Sequence, residues 1–225
     1  MKFKALKLHT ENLAAEREFY HTTLGLPVID DVTDQFTVEV GWSKLTFQES
    51  PVPFKYHYCF LIPSNKLDEA LTWTEQRTTV INIEGDKKKQ FFDDWNAESF
   101  YFFDASGNIA EFIVRYDLKN ETEEPFDSSQ ILCVNEMGLP TKDVADSNQI
   151  LEENLGTSFY KGDQQRFGTN GSAEGIFLLP NYTVKETWFP TSIALKPLPF
   201  EATIENGGNS FQLKFEAEKL LIAKS

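Results

Sequence analysis

Glu111 lies in the middle of the apolar run IAEFIVR (Ile109 to Arg115), and His57 opens the comparable run HYCFL. An unpaired carboxylate in a sheet interior costs on the order of several kcal/mol, so a strand keeps one only where it faces water, a partner or a metal. Imidazole and carboxylate are both proton carriers and both ligands for divalent ions. Strand side chains alternate, so Ile109, Glu111, Ile113 and Arg115 share one face, as do His57, Cys59 and Leu61. Near the N-terminus, FKALKLHT puts Ala5, Lys7 and His9 on one face and Leu6 and Leu8 on the other. The two leucines suit a helix-covered side, which turns Lys7 and His9 toward a cavity. Other partners for Glu111 are a hydrogen bond to Tyr101 or His57, or an ion pair with Lys7. His21 sits at the solvated end of a helix, the Lys87–Lys89 run reads as a solvated loop, and the four tryptophans read as packing groups.

The elements that must position these groups repeat along the chain. NLAAEREFYHTTLG and DVADSNQILEENLG place Leu13, Tyr20 and Leu24, and Val144, Leu151 and Leu155, at helical spacing. Asn12 is an N-cap candidate and Gly25 follows the end of its helix. A strand precedes each helix and short strands follow it, giving a β-α-β-β-β unit. A unit of the same kind fits between them: YHYCFLIP, the helix candidate NKLDEALTWTEQ, the strand TTVINIE, and the hairpin ESFYFFD/NIAEFIVR around Ser106-Gly107-Asn108. The acidic NETEEPFDSS reads as a linker. The closing GGNSFQLKF repeats the hairpin turn, with Gln212 standing where Glu111 stands, while ETWFPTSIALKPLPFEATIE before it holds no convincing helix. The expected organisation is a paired domain over residues 1–119 (units 1–50 and 54–116), a linker at 120–129, and a degenerate paired domain over 130–225.

Length and charge bound the partners. A chain of 225 residues buries roughly 70% of its unfolded surface, enough for a true core. The net charge of -14 repels phosphate backbones and anionic headgroups, so nucleic acid and membrane surfaces are poor partners. The N-terminus alternates where a signal peptide would run apolar, which reads as cytoplasmic. Cys59 and Cys133 fall within strand-like runs and are expected as buried free thiols.

NLAAEREFYHTTLGLPV resembles the Asp-Leu, Phe-Tyr, Leu-Gly helix signature of the vicinal oxygen chelate superfamily, and FYFFDASGNIAEF resembles its Tyr-Phe-x-Asp-Pro-x-Gly-Asn-x-x-Glu hairpin, with Ala105 in place of proline. That superfamily includes glyoxalase I, extradiol dioxygenases, fosfomycin-resistance enzymes and bleomycin-resistance proteins. The resemblance implies an α+β fold of tandem βαβββ modules, sheets curled around a cavity and helices outside. It also implies a divalent metal (Fe, Mn, Ni or Zn) with His57 and Glu111 as ligands. The first-module ligand position falls on Ala5, which cannot ligate, so the site is incomplete. His9, about 13 Å along the same face, is too far to replace it, and Thr46 or Gln48 could add a weak oxygen ligand. Glu136, eight residues before Val144, can ligate in principle. No histidine follows residue 57, so the C-terminal half reads as a degenerate copy that packs on the first half or shapes a second pocket.

Two functions follow. One is a metal-dependent lyase, isomerase or dioxygenase acting on neighbouring oxygens of a small substrate, with Glu111 as ligand or base and Lys7, His9, Tyr101 and Arg115 as substrate-binding residues. The other is a metal-free binding or sequestering protein of the bleomycin-resistance type. Four units in one chain lead to the expectation of a monomer.

Overall fold

In the computed structural model, which describes residues 1–225, the hydrophobic alternation read above builds two sheets rather than two successive domains. The first unit contributes β1 (Lys2–Thr10), β2 (Val28–Val32), β3 (Gln35–Val40) and β4 (Ser43–Glu49). The second contributes β5 (His57–Leu61), β6 (Lys89–Phe92), β7 (Ala97–Phe103) and β8 (Ile109–Arg115). The third holds β9 (Cys133–Gly138), β10 (Phe159–Gly162), β11 (Phe167–Ser172) and β12 (Gly175–Pro180). The fourth has only β13 (Phe200–Asn206), β14 (Asn209–Glu216) and β15 (Lys219–Lys224).

Sheet order runs β15-β14-β13-β1-β4-β3-β2 and β10-β11-β12-β9-β5-β8-β7-β6. The first unit therefore joins the fourth through β1 and β13, and the second joins the third through β5 and β9. Pairing within residues 1–119 and within 130–225, as the sequence suggested, is not what the hydrogen bonds make. Nor does 120–129 hang free: Phe126 is buried, its N–H donates to Glu69 (2.9 Å), and its ring meets Trp73 at 5.5 Å.

Helix α1 (Leu13–Glu18) continues through a wider turn over Phe19–Thr23 and stops before Gly25, at φ 73°. Asn12 makes no side-chain cap, contrary to expectation; its own N–H donates to Thr10 Oγ1. Helix α2 spans Leu67–Glu75, and α3 spans Val144–Leu155 with Asp143 accepting from the Asp146 N–H as a true cap. The expected strand at 78–84 is reduced to two isolated bridges, Val80 to Phe102 and Glu84 to Lys87, and β6 begins instead at Lys89, the end of the lysine run. There Lys88 and Lys89 reach Glu75 and Asp68, so acids at the α2 side neutralise what read as a solvated loop.

Both sheets and all three helices feed one core of 40 buried residues, with Phe3 of one sheet 5.0 Å from Phe177 of the other. Each fully buried Phe there contributes roughly 1.5–3 kcal/mol. The side of the first sheet away from this core is polar and open, carrying Lys7, His9, Lys44, Glu201 and Lys214. The corresponding side of the second sheet is closed over by residues 181–199, the segment without a helix. No helix is long and apolar enough to cross a membrane.

Candidate metal centre

The hairpin turn sets the register of the site. Asp104 accepts from the backbone N–H of Ser106 (3.0 Å) and Asn108 (2.8 Å), and Gly107 takes φ 76°, so the turn closes with Ala105 where the resembled motif has proline. The Asn108 amide oxygen then accepts the Tyr56 N–H at 2.8 Å, which fixes the start of β5 against β8. Parallel pairing sets His57 beside Ile109 and Cys59 beside Glu111. Alternation sends Tyr58, Phe60, Phe112 and Val114 into the main core, and His57, Glu111 and Ile113 to the other face.

His57 Nδ1 lies 3.0 Å from the Ile109 carbonyl, an acceptor, so this nitrogen carries the proton and Nε2 keeps its lone pair. Nε2 stands 3.4 Å from Glu111 Oε2. Burial lowers the His57 pKa to about 4 and the charge of Lys185 acts in the same direction, while the Ile109 bond opposes them. The imidazole is thus neutral at physiological pH, the form that binds metals.

Glu136 completes the group. Regular alternation along β9 would send Cys133 and Asn135 to the cavity face and Glu136 into the core. A one-residue irregularity prevents this: Cys59 pairs with Glu136, yet Phe60 pairs with Val134, so Asn135 is the extra residue. Its side chain is held at both ends, accepting from Arg115 Nε (3.0 Å) and donating to the Ala173 carbonyl (2.9 Å). The bulge reverses the phase and brings Glu136 to the face of His57. One ligand atom each from His57, Glu111 and Glu136 lie within 4.8 Å of one another, on residues 5%, 2% and 3% exposed.

Burial and the neighbouring carboxylate act together on Glu111. Burial and the charge of Glu136 push Glu111 well above the usual carboxylate range, against the pull of Ser99, Arg115 and Tyr101. Glu136 is raised by burial and pulled back by Arg115, whose guanidinium pairs with its Oε1. One neutral imidazole nitrogen and two carboxylates that lack a full counter-charge make a donor set that fits a divalent ion. The position on β12 that corresponds to Glu111 on β8 is Leu178, since Glu136 pairs with Ile176 as His57 pairs with Ile109. This leaves an apolar side where a substrate could approach.

The cavity around these groups measures about 290 Å³, and eight of its twelve lining residues are hydrophobic. Segment 181–199 closes it. Trp188 packs at 4.8 Å against the His57 ring, tilted by 54°, and Phe189 meets Tyr101 edge-on at 5.7 Å. The indole fits because residue 138 is glycine: a Cβ there would lie 2.6 Å from the Trp188 ring.

Of the residues read from sequence, His57, Glu111 and Tyr101 line this cavity. Arg115 is buried, but Glu136 and Asn135 engage its guanidinium and it does not line the cavity. Lys7 and His9 belong to the other sheet, as do Thr46 and Gln48, so none of the four reaches the centre. The reason is topological: β1 pairs with β4 and β13, never with β5. Lys185 and Trp188 were missed because nothing in the sequence ties the fourth unit to the second. Glu136 had a signal, its place on an opening strand, which the assumed pairing set aside.

No family profile and no curated protein matches the chain. Among solved structures, a dioxygenase candidate from Bacillus subtilis aligns with 100% of this chain and 84% of its own, at TM-score 0.67 and 11% identity. The fold is glyoxalase-like. A variant of glyoxalase I from Zea mays aligns at TM-score 0.53 and 14% identity, over 82% of this chain and 69% of that one. At these identities the likeness is one of fold, and function rests on the site itself.

Proposed function

We propose that the protein is a divalent-metal-dependent enzyme of the glyoxalase and dioxygenase type, with His57, Glu111 and Glu136 as its metal ligands. The observation that carries this reading is the convergence of one imidazole and two carboxylates within 4.8 Å in a buried cavity. Bound there, the ion would supply Lewis-acid stabilisation of charge developing on an oxygen of a small substrate. The chain's own residues do the rest. Ile109 holds His57 in the tautomer that offers Nε2. Arg115 occupies one oxygen of Glu136 and so orients the other. Glu111, released from the ion, is the group placed to take a proton from carbon or oxygen of the substrate. Trp188 and Phe189 exclude water above the site. A carboxylate-rich set favours Mn or Fe over softer ions, with Ni and Zn as competitors. A cytoplasmic monomer belongs to the same proposal, supported by two free buried cysteines and by four units that complete two sheets within one chain.

One observation favours a second reading, a metal-free binder of the bleomycin-resistance type. Arg115 already offsets Glu136, and a protonated Glu111 could donate to His57 Nε2, so the cluster could be neutral without an ion. Elemental analysis of protein purified without chelator separates the two. About one divalent ion per chain, absent from His57→Ala, supports the enzyme; no uptake of Mn, Fe, Ni or Zn supports the binder.

A further inference from the structure

We infer that Lys185 is the anion anchor of this cavity and that the ligand it selects is a small aromatic carboxylate. The inference deepens the proposed function and rests on it for the nature of the site, though not for the role of the lysine.

Lys185 follows β12 at the start of the segment that closes the cavity, and it lines the cavity together with His57, Glu111 and Glu136. Its ammonium has no carboxylate within ion-pair distance, and its one side-chain hydrogen bond goes to the Thr187 carbonyl, a neutral acceptor on the same segment. Lys88 and Lys142, which line other clefts of this protein, each hold a carboxylate instead. A half-buried cation against aromatic walls is costly unless a ligand supplies the opposite charge. Burial and the neighbouring Arg166 both act against its charged form, which a bound anion would restore.

Charge balance points the same way. A divalent ion would be balanced by the carboxylates of Glu111 and Glu136, leaving Arg115 and Lys185 in excess, and only Lys185 faces the cavity. In a chain of net charge -14 this is a local reversal of sign, which an anionic ligand would be drawn to. The remaining walls decide what carries the anion. Phe92, Trp95, Tyr101, Phe167 and Trp188 surround a space of about 290 Å³, at the small end for ligand pockets, which suits a single substituted ring rather than a sugar phosphate or a peptide.

The test compares phenylacetate with phenylacetamide, equal in shape and different in charge, by isothermal titration calorimetry on the full chain. Both are titrated into chelator-treated protein and into protein loaded with Mn. A charge-assisted contact should make the acid bind about tenfold more tightly than the amide. Lys185→Met should abolish that preference and Lys185→Arg should retain it, in the metal-free protein as well as the loaded one. Equal binding of acid and amide, an unchanged preference in Lys185→Met, or no binding of either compound overturns the inference. Failure of metal uptake alone would sink the proposed enzyme while leaving the lysine-dependent preference to be read in the metal-free protein.

Discussion

Glu136 faces His57 across the seam of the second sheet because Asn135 is one residue too many for its strand. The bulge is the device that converts two half-sites into one centre: β5 and β8 bring His57 and Glu111, and β9 brings Glu136 from the third unit. Four consequences can be measured.

Glu136→Gln keeps a side-chain oxygen for Arg115 but removes the charge that a cation needs. Metal affinity should fall by at least about a hundredfold, beyond what loss of an outer-sphere partner alone produces. Isothermal titration with Mn of the variant and the parent checks this; equal affinities would remove Glu136 from the ligand set.

Arg115→Met leaves the Glu136 carboxylate buried without its guanidinium. In metal-free protein this should cost about 3–5 kcal/mol, and adding Mn should recover part of the loss because the ion takes over the compensation. Urea unfolding with chelator and with Mn gives both values.

Gly138→Ala places a methyl group 2.6 Å from the Trp188 indole. Overpacking of this kind costs about 1–3 kcal/mol, and here the segment carrying Trp188 should yield first. A red shift of tryptophan emission and loss of protection of residues 181–199 in hydrogen exchange are expected, with little change elsewhere.

The pH dependence of metal-free stability has two opposed parts. His57 has a folded pKa of about 4, below its ordinary value of 6.5, so the unfolded chain binds more protons in that window and stability falls as pH drops from about 6.5 to about 4. Glu111 is raised, so the folded chain binds more protons above the ordinary carboxylate range and its contribution falls as pH rises. Glu111→Gln should therefore be more stable than the parent at pH 8 in chelator, with the gap narrowing toward pH 4. Metal should reverse the order at pH 8, since only the parent keeps both carboxylates of the ligand set. Denaturant midpoints at the two pH values, with and without Mn, decide the matter.

The residues themselves determined the local structure. Two-residue alternation in HYCFL and IAEFIVR sorted His57 and Glu111 from Tyr58 and Phe112, and Asp104, Gly107 and Asn108 dictated the hairpin that registers them. The repeat was legible for the same reason, because each unit records its own helix and strands in short-range pattern. Which unit meets which was decided only in three dimensions. Strand edges carry the same backbone donors and acceptors whatever their sequence, so β5 could not announce β9 as its neighbour, and β1 could not announce β13. Glu136, Lys185 and Trp188 therefore entered the site of His57 through tertiary pairing, and Lys7 and His9 left it the same way.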